Sequence, residues 1–502
     1  MKQKISKRTQ NILIAIFLIF INLIAFNLFL RFDFTKTKQY SVSDSTIEIL
    51  RNIDGNINIK VFFTKDLPAN LVDLYQYTED ILKEYEAYSK GKVNIKFLDP
   101  NTDTKIAEEA KNLGIQELQL NDIKKDEFAI KKGYLGIQIS YKEKQEVIPV
   151  VQNISNLEYD ITSRILRLTR EESKKIGFIS DYGIESDYSI IKEVLAENYE
   201  TSEINLKEIE SLNNIDTLIF PSPKEELKEE DINKLNEYLE NGGNLAVFIN
   251  NYDIGEGLEP VENLNGINKF LEKYNIEIDK NLILDKSNMQ IPFGGGFLTY
   301  YLPYPFWIEV KETGFESNNP IFENLNTLLF PWSSSVKILN EDNNARSFIK
   351  TTSRAWEQKE DFNLDPNSIS EPENLERYNL AVFSNIKNEI ENNPEIENQE
   401  IIDSNLVVFG SSRIISDSII QTNPENVVFL ENLIDYLTEG ESLISIRTKN
   451  IISYPINELN NNIKNTIKIL NIIIPTLLIS LFGIYLSFRK KKISKEYKKQ
   501  LK

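Results

Sequence analysis

The sequence predicts an α/β protein built around an open, Rossmann-like sheet with helices on its faces. The prediction rests on residues 175–250, where short apolar runs of strand length alternate with amphipathic helical patterns. Such alternation is typical of a parallel sheet covered by helices. Gly242 and Gly243 follow the last apolar turn of the clearest helix and end it. The predicted strands are Ile176–Ile179, Ile215–Phe220 and Leu245–Ile249. The inward positions of this helix are Ile232, Leu235, Tyr238 and Leu239.

The composition removes several kinds of chemistry. The 502 residues include no cysteine and no histidine, which excludes disulfides, thiolate metal sites and the commonest general base. The net charge is −19, yet both ends are basic, with Lys2 to Arg8 at the start and Arg489 to Lys502 at the end. The body between them is therefore strongly acidic, which argues against nucleic acid as a partner. A chain of this length can hold two or three domains.

Two apolar runs near the ends are predicted to be transmembrane helices. Residues 12–30 and 469–488 are each about as long as the roughly 20 residues that a membrane helix needs. Basic residues flank both runs, so the positive-inside rule places residues 1–11 and 489–502 in the cytoplasm and residues 31–468 outside it. The chain would then be a two-pass protein of the cytoplasmic (inner) membrane. A cleaved signal peptide and a pair of buried core helices are the alternatives, but no small-residue cleavage site follows the first run.

Residues 31–170 are predicted to form a first extracytoplasmic domain. From Ile57 onward the elements follow the order β-α-β-α-β-β-α, which is the order of a thioredoxin fold. The redox motif of that fold would lie at Thr64–Pro68, where no cysteine occurs, so disulfide exchange is excluded. A short helix over Ser43–Ile53 precedes this series. The predicted elements are strands Ile57–Phe63, Val93–Leu98, Tyr134–Tyr141 and Glu146–Val151, and helices Asn70–Gly91, Thr104–Leu113 and Leu157–Leu168.

Residues 171–441 are predicted to form a second, larger domain that contains the Rossmann-like sheet. Gln290–Trp307 combines a glycine run with aromatic residues and prolines and is predicted to be a flexible surface loop. A phosphate-binding loop is the alternative, but no helical pattern follows. Two acidic, asparagine-rich segments, Asp361–Leu375 and Asn385–Glu400, are predicted to be exposed loops. Further strands are predicted at Ser333–Lys337, Ser347–Thr351, Leu380–Ser384 and Leu406–Phe409. The last helix is predicted at Val427–Leu437, and residues 442–468 are predicted to be a tether.

The carboxyl ends of the predicted parallel strands carry the candidate site. Ligands of open α/β sheets bind at that edge, and polar residues follow these strands. Ordinary turn chemistry also explains them and is the preferred interpretation, because Ser, Asn, Asp and Gly are common in turns. A degenerate pocket for a sugar or peptide is the alternative; no catalytic residue, metal ligand or cofactor is predicted. The candidate ligand-binding residues are Ser180, Asp181, Tyr182, Ser222, Asn250, Ser411, Ser412 and Arg413.

A succession of short motifs runs in order along nearly the whole chain. They are Tyr40–Ser43, Val61–Pro68, Phe220–Lys224, Tyr238–Gly243, Val407–Ser412, Asn432–Leu437 and Leu443–Arg447. This succession resembles the GldG-like auxiliary subunit of ABC-2-type export systems, a family of gliding-motility ABC transporter components. The resemblance implies a thioredoxin-like domain followed by an α/β domain similar to class I glutamine amidotransferases and to an intraflagellar-transport domain. It also implies a separate permease and ATPase as partners, and the chain has no G-x-x-x-x-G-K-[ST] motif of its own.

Together, these observations predict a non-catalytic, membrane-anchored auxiliary subunit of an ABC-type transport system. Its extracytoplasmic module would dock on the permease or on an envelope partner. An amidotransferase would need a Cys/His pair, and neither residue type occurs. A tethered solute-binding module is the alternative. An envelope hydrolase that uses Ser222 or Ser411 is a third hypothesis, but only carboxylates, lysine or tyrosine could serve as its base.

Overall fold

The computed structural model describes most of the region between the two apolar runs. The described residues are 17, 41–124, 127–152, 154–185, 187–255, 257–294, 299–323, 325–340, 344–389, 401–440, 443–444, 446, 482–487 and 489. The basic ends and both predicted membrane helices therefore lie outside the described residues, apart from Phe17, residues 482–487 and Arg489, which are helical. Within the described ranges, no helix is both long and apolar enough to cross a membrane.

The chain divides by its internal contacts into two units, residues 1–451 and residues 452–502. All the elements below belong to the first unit. We refer to its described residues 41–170 as the N-terminal module and to residues 171–440 as the C-terminal module.

The N-terminal module contains a four-stranded sheet and four helices. Its elements are α1 (Asp44–Asn52), β1 (Ile57–Phe63), α2 (Val72–Tyr88), β2 (Val93–Leu98), α3 (Thr104–Asn112), β3 (Leu118–Lys124), β4 (Glu127–Gly133), β5 (Leu135–Tyr141), β6 (Lys144–Ile148) and α4 (Leu157–Thr169). The sheet order is β2-β1-β5-β6, with β1 parallel to β2 and antiparallel to β5. The predicted β-α-β-α-β-β-α order is confirmed, with an additional hairpin, β3–β4, before β5.

The largest apolar core of this module lies between the sheet and two of its helices, and a smaller cluster contains Phe62 and Ala110. Ile59, Val61 and Ile137 of the sheet are fully buried among apolar residues of α2 and α4, including Ile81 and Ile161. Residues at alternate positions of β1 and at helical spacing on α2 and α4 supply this core, as the hydrophobic periods of strands and helices require.

The C-terminal module contains the central sheet and a strand-rich extension. Its elements are β7 (Lys175–Ile179), α5 (Ser189–Ala196), β8 (Glu200–Ile204), β9 (Thr217–Phe220), α6 (Glu229–Glu240), β10 (Asn244–Phe248), β11 (Tyr252–Ile254), β12 (Pro260–Glu262), α7 (Asn268–Leu271), β13 (Ile276–Ile278), β14 (Leu282–Asp285), β15 (Asn288–Phe293), β16 (Tyr300–Lys311), β17 (Thr327–Pro331), β18 (Val336–Ile338), β19 (Ala345–Lys350), β20 (Ala355–Gln358), β21 (Asn379–Glu389), β22 (Ile401–Phe409), α8 (Asp417–Thr422) and α9 (Glu425–Glu439).

The central sheet has seven strands in the order β19-β21-β22-β10-β9-β7-β8. Its five strands from β22 to β8 are parallel, and β21 and β19 extend the sheet with antiparallel pairings. Numbered along the chain, the parallel strands follow the order 2-1-3-4-5, so the direction of winding reverses between β7 and β9. Such a switch point leaves a crevice at the carboxyl ends of the strands, where ligands of open α/β sheets bind.

Helices cover both faces of this sheet, as the sequence predicts. On one face, Leu195 of α5 and Phe429 of α9 pack into a core with Phe248 and Phe409, whose rings stack at 4.5 Å. On the other face, Leu235, Tyr238 and Leu239 of α6 pack with α7 against the opposite side of the same strands. The predicted mixed α/β architecture is therefore confirmed.

Two predictions about the irregular segments need correction, and a third is confirmed. Gln290–Trp307 is not a loop, because β15 and β16 pair as an antiparallel hairpin within it. Asn385–Glu400 begins as the end of β21, and residues 390–400 lie outside the described part. As predicted, Asp361–Leu375 contains no helix or strand and most of its residues are exposed. Its buried residue Leu364 accepts a hydrogen bond from the Tyr304 hydroxyl at its carbonyl (2.9 Å).

Candidate functional site

A cleft lies at the carboxyl edge of the central sheet, beside the switch point between β7 and β9. Four of the predicted ligand-binding residues line it, namely Ser222 after β9, Asn250 after β10, and Ser412 and Arg413 after β22. The other lining residues are Ile184, Glu185, Asp187, Tyr188, Pro221, Lys224, Asp253, Ile415 and Ser416. Only about 40 Å³ is open to a water-sized group, which is far below the roughly 300–1,000 Å³ of a small-molecule pocket.

Hydrogen bonds within the chain close the floor of this cleft. The Ser222 hydroxyl accepts a bond from the Asn250 main-chain N–H at 2.9 Å. The Asn250 side-chain oxygen accepts one from the Ser412 main-chain N–H at 2.8 Å. The Asn263 side-chain amide donates to the Asn250 carbonyl at 3.0 Å. These bonds tie together the ends of three parallel strands, so the polar groups that the sequence singled out hold the sheet edge in place.

Ser411 lies next to the cleft but does not line it. Its side chain is fully buried, and its hydroxyl donates to the Pro331 carbonyl at 2.7 Å and accepts the Arg413 main-chain N–H at 3.2 Å. A hydroxyl held in this way connects the end of β22 to the end of β17 and is not presented to a ligand.

The three residues after β7 do not line the cleft. Tyr182 adopts a left-handed backbone conformation, with φ of 58°, which directs its hydroxyl to the buried carboxylate of Asp231 on α6. Burial, followed by the bond to Asp231, raises the pKa of the Tyr182 hydroxyl. Asp181 accepts the Lys207 main-chain N–H at 2.9 Å, and Ser180 bonds the Ile204 carbonyl. The structure therefore separates these residues from the other candidates.

Charged side chains that the sequence did not single out surround the mouth of the cleft. Lys224 pairs with Glu185 at 2.5 Å and with Asp253 at 3.1 Å. Desolvation lowers the pKa of Lys224, but these bonds outweigh it and raise the pKa overall. Partial desolvation, and then the carboxylate of Asp417, raise the pKa of Asp187. Of this set, only Lys224 carried a sequence signal, as the last residue of the motif Phe220–Lys224.

Hydrolytic chemistry has poor support in this arrangement. The Ser222 hydroxyl contacts main-chain groups of Asn250, whereas a serine nucleophile needs a base within hydrogen-bond reach. Among the residues that the structure describes, no group of three or more acidic side chains is arranged to hold a metal ion. The cleft resembles a stabilised sheet edge more than a reaction site.

The first prediction is that Ser222→Ala lowers stability only moderately. The change removes the acceptor of the Asn250 N–H, which is buried, and an unsatisfied donor of this kind costs about 1–3 kcal/mol. The melting temperature should fall by about 2–4 °C per kcal/mol in a domain of this size. The exposed Ser317→Ala is the matched control and should leave the melting temperature unaltered. An unchanged melting temperature in Ser222→Ala would show that this bond does not stabilise the sheet edge.

The C-terminal module matches a known protein family. The family described as "ABC-type uncharacterized transport system" matches residues 173–436, which include the central sheet and the cleft. A domain family of unknown function (DUF7088) matches residues 36–140.

Comparison with individual proteins adds a relative of similar length. An uncharacterized protein of Borreliella burgdorferi is 28% identical over 505 residues, covering 96% of this chain and 97% of that protein. Among solved structures, the N-terminal domain of IFT52 is 18% identical, with a TM-score of 0.36, covering 53% of this chain and 99% of that one. A glutamine amidotransferase from Thermotoga maritima is 11% identical, with a TM-score of 0.26, and the match covers 56% of this chain and 99% of that one. Scores this low carry no argument about fold or function.

Proposed function

Because the chain belongs to the family of ABC-type transport-system auxiliary proteins, we propose that it is a non-catalytic, membrane-anchored subunit of such a system. The family match over residues 173–436 carries this proposal. The chain would present its modules outside the cytoplasm to an ABC permease or an envelope partner, and a separate ATPase would supply the energy. Within the family we propose a GldG-like component, with a thioredoxin-like N-terminal module and an amidotransferase-like C-terminal module, neither of which retains catalytic residues.

The contact between the two modules supports a mechanical role. Tyr159 of α4 and Tyr199, just before β8, both donate to the carboxylate of Asp435 on α9, at 2.8 and 2.6 Å. Arg170 forms a two-pronged ion pair with Glu439 of the same helix. The Tyr159–Asp435 and Arg170–Glu439 contacts join the modules by directional bonds in a largely buried setting. Tyr199 holds the Asp435 carboxylate from within the C-terminal module. Such a joint suits a rigid arm that transmits position between the membrane and a partner.

Co-purification tests the proposed function directly. The full-length chain, tagged at its C-terminus and extracted in mild detergent, should retain an ABC permease and its ATPase, identified by mass spectrometry. A tagged membrane protein of unrelated family, expressed at the same level, is the control. If neither transporter component is enriched under conditions that keep the chain folded, the proposal is wrong.

The topology provides the second prediction, and the absence of cysteine makes it easy to test. We propose that residues 12–30 and 469–488 cross the cytoplasmic membrane and that both termini are cytoplasmic, because basic residues flank each run. An exposed single cysteine, Asn214→Cys, should react with an impermeant maleimide in intact spheroplasts. The control Lys499→Cys should react only after the membrane is opened. The reverse pattern would contradict this topology.

A tethered solute-binding module for a sugar or peptide is the second candidate function. The cleft lies at the expected edge of the sheet, but its 40 Å³ of free space would have to enlarge several-fold to admit a sugar. A specific ligand at 100 times its Kd would stabilise the folded chain by about 2.7 kcal/mol, which a thermal-shift screen of sugars and peptides detects. An envelope hydrolase is less well supported, for the reasons given at Ser222 and Ser411.

A further inference from the structure

Two segments far apart in the sequence, one at Ser43 and Thr46 and one at Leu443 and Ile446, contact the same turn of helix α4. In the first segment, the Ser43 main-chain N–H and the Thr46 hydroxyl donate to the Glu158 carboxylate, at 2.6 and 2.8 Å. In the second segment, Leu443 and Ile446 are buried against Tyr159, the next residue of α4. The segment predicted as a tether, residues 442–468, is therefore held to the N-terminal module at its beginning.

The same contacts place both segments on one face. Leu443 and Ile446 share their cluster with Ile49 of α1 and Leu166 of α4. Ile49 follows Ser43 by six residues, which is about 9 Å along a helix. We call the surface formed by α1 and the adjoining side of α4 the α1–α4 face.

Chain length brings this face close to the bilayer. If residues 12–30 cross the membrane, only residues 31–40 connect them to Ser41, where the described chain resumes. Ten residues span at most about 33–36 Å when fully extended. The α1–α4 face therefore lies within reach of the extracytoplasmic parts of other membrane proteins.

A groove of about 360 Å³ opens on this face. Its apolar lining includes Ile49, Ile53 and Leu166, and two acidic residues, Glu48 and Asp54, stand at its side. Both acidic residues are exposed. In the described part of the chain, neither carboxylate has a hydrogen-bonding or ion-pair partner. The groove thus combines an apolar wall with unpaired negative charge.

We propose that this groove is the docking site for the membrane partner and takes a basic, partly apolar segment from the partner's extracytoplasmic side. The inference rests on the proposed function, because the distance of the groove from the membrane is derived from the predicted membrane helix at residues 12–30. Charge complementarity favours a protein segment with Lys or Arg. Phospholipid headgroups are anionic or zwitterionic, and unpaired carboxylates gain little from lying on them.

Photocrosslinking and charge reversal test the proposal in the full-length chain in its native membrane. A photoreactive residue, Asn52→p-benzoylphenylalanine, stands at the end of α1 and lines the groove. It should crosslink to the ABC permease, identified by mass spectrometry. Glu48→Lys with Asp54→Lys should reduce the crosslink at least about tenfold, since each pairing becomes a repulsion. Glu48→Gln with Asp54→Asn should give a smaller reduction.

A matched control reverses two exposed acidic residues elsewhere, Glu208→Lys with Glu210→Lys, and should leave the crosslink intact. Unchanged melting temperatures would exclude misfolding as the cause. A crosslink to lipid alone, or one that charge reversal leaves unaltered, would overturn this inference while co-purification of the permease still supports the proposed function. If no variant co-purifies with a permease, the proposed function itself fails.

Discussion

Asp435→Ala is expected to lower the free energy of unfolding by about 2–5 kcal/mol, because each buried hydroxyl left without an acceptor costs about 1–3 kcal/mol. The Asp435 side chain is 1% exposed, and it accepts from Tyr159 in one module and from Tyr199 in the other. Alanine leaves both phenol groups without this acceptor and also opens a small cavity. Because the two bonds lie at the contact between the modules, transport should fall more steeply than the folded fraction.

Pulse proteolysis of the full-length chain in detergent, across a urea series, measures this effect. Asp403→Ala is the matched control, since Asp403 is an exposed aspartate on β22, and it should change stability by less than about 0.5 kcal/mol. Tyr199→Phe removes one of the two bonds, and its free energy of unfolding should lie between those of the two alanine variants. Equal protease sensitivity of Asp435→Ala and Asp403→Ala would show that the network does not hold the modules together.

The parts of the fold that the sequence predicts well are those with a single clear period. Leu245–Ile249 and Leu406–Phe409 are continuous apolar runs, and both form buried parallel strands. By contrast, β8 reads Glu-Thr-Ser-Glu-Ile, with one buried residue, because it is the outermost strand of the sheet. An edge strand buries too little surface to leave an apolar signature.

The β15–β16 hairpin is hard to predict from the sequence for a different reason. Along β16, Tyr304, Phe306 and Ile308 are buried at every second position, which is the period of a strand. Pro303 and Pro305 interrupt that pattern, and a proline argues against a central strand. Here β16 pairs with β15 on one side over this stretch and with β17 only from Trp307 onward, so the prolines are tolerated where the strand is an edge.

The candidate site was half predictable. That polar residues follow the strands is visible in the sequence, and four of them meet at the cleft. Which of them meet depends on strand order, since the Asn250 side chain bonds the main chain of Ser412, 162 residues away. The sequence does not show that the Tyr182 hydroxyl bonds Asp231, because a left-handed backbone at a bulky residue is uncommon and leaves no signal in the sequence.

Gly410→Ala is expected to be the most destabilising single change at the sheet edge. A Cβ atom at this position would lie 2.0 Å from the Ser334 carbonyl oxygen and 2.9 Å from its carbon. Those atoms belong to the main chain, which the Ser334 N–H donating to the Gly410 carbonyl at 2.8 Å holds in place. No side-chain rotation can relieve the overlap, so the ends of β22 and β17 must separate.

The loss in the free energy of unfolding should therefore reach or exceed the roughly 1–3 kcal/mol of ordinary overpacking. Proteolysis of the full-length chain in urea measures it against Gly255→Ala, whose added Cβ meets no atom within 4 Å and which should stay close to the unmodified chain. Since Ser411 and Ser412 follow directly, the same change should also break the bonds that close the cleft floor. Ligand binding gained by Gly410→Ala would show that the closed floor conceals a pocket, whereas instability without binding is what a sheet edge built for rigidity should give.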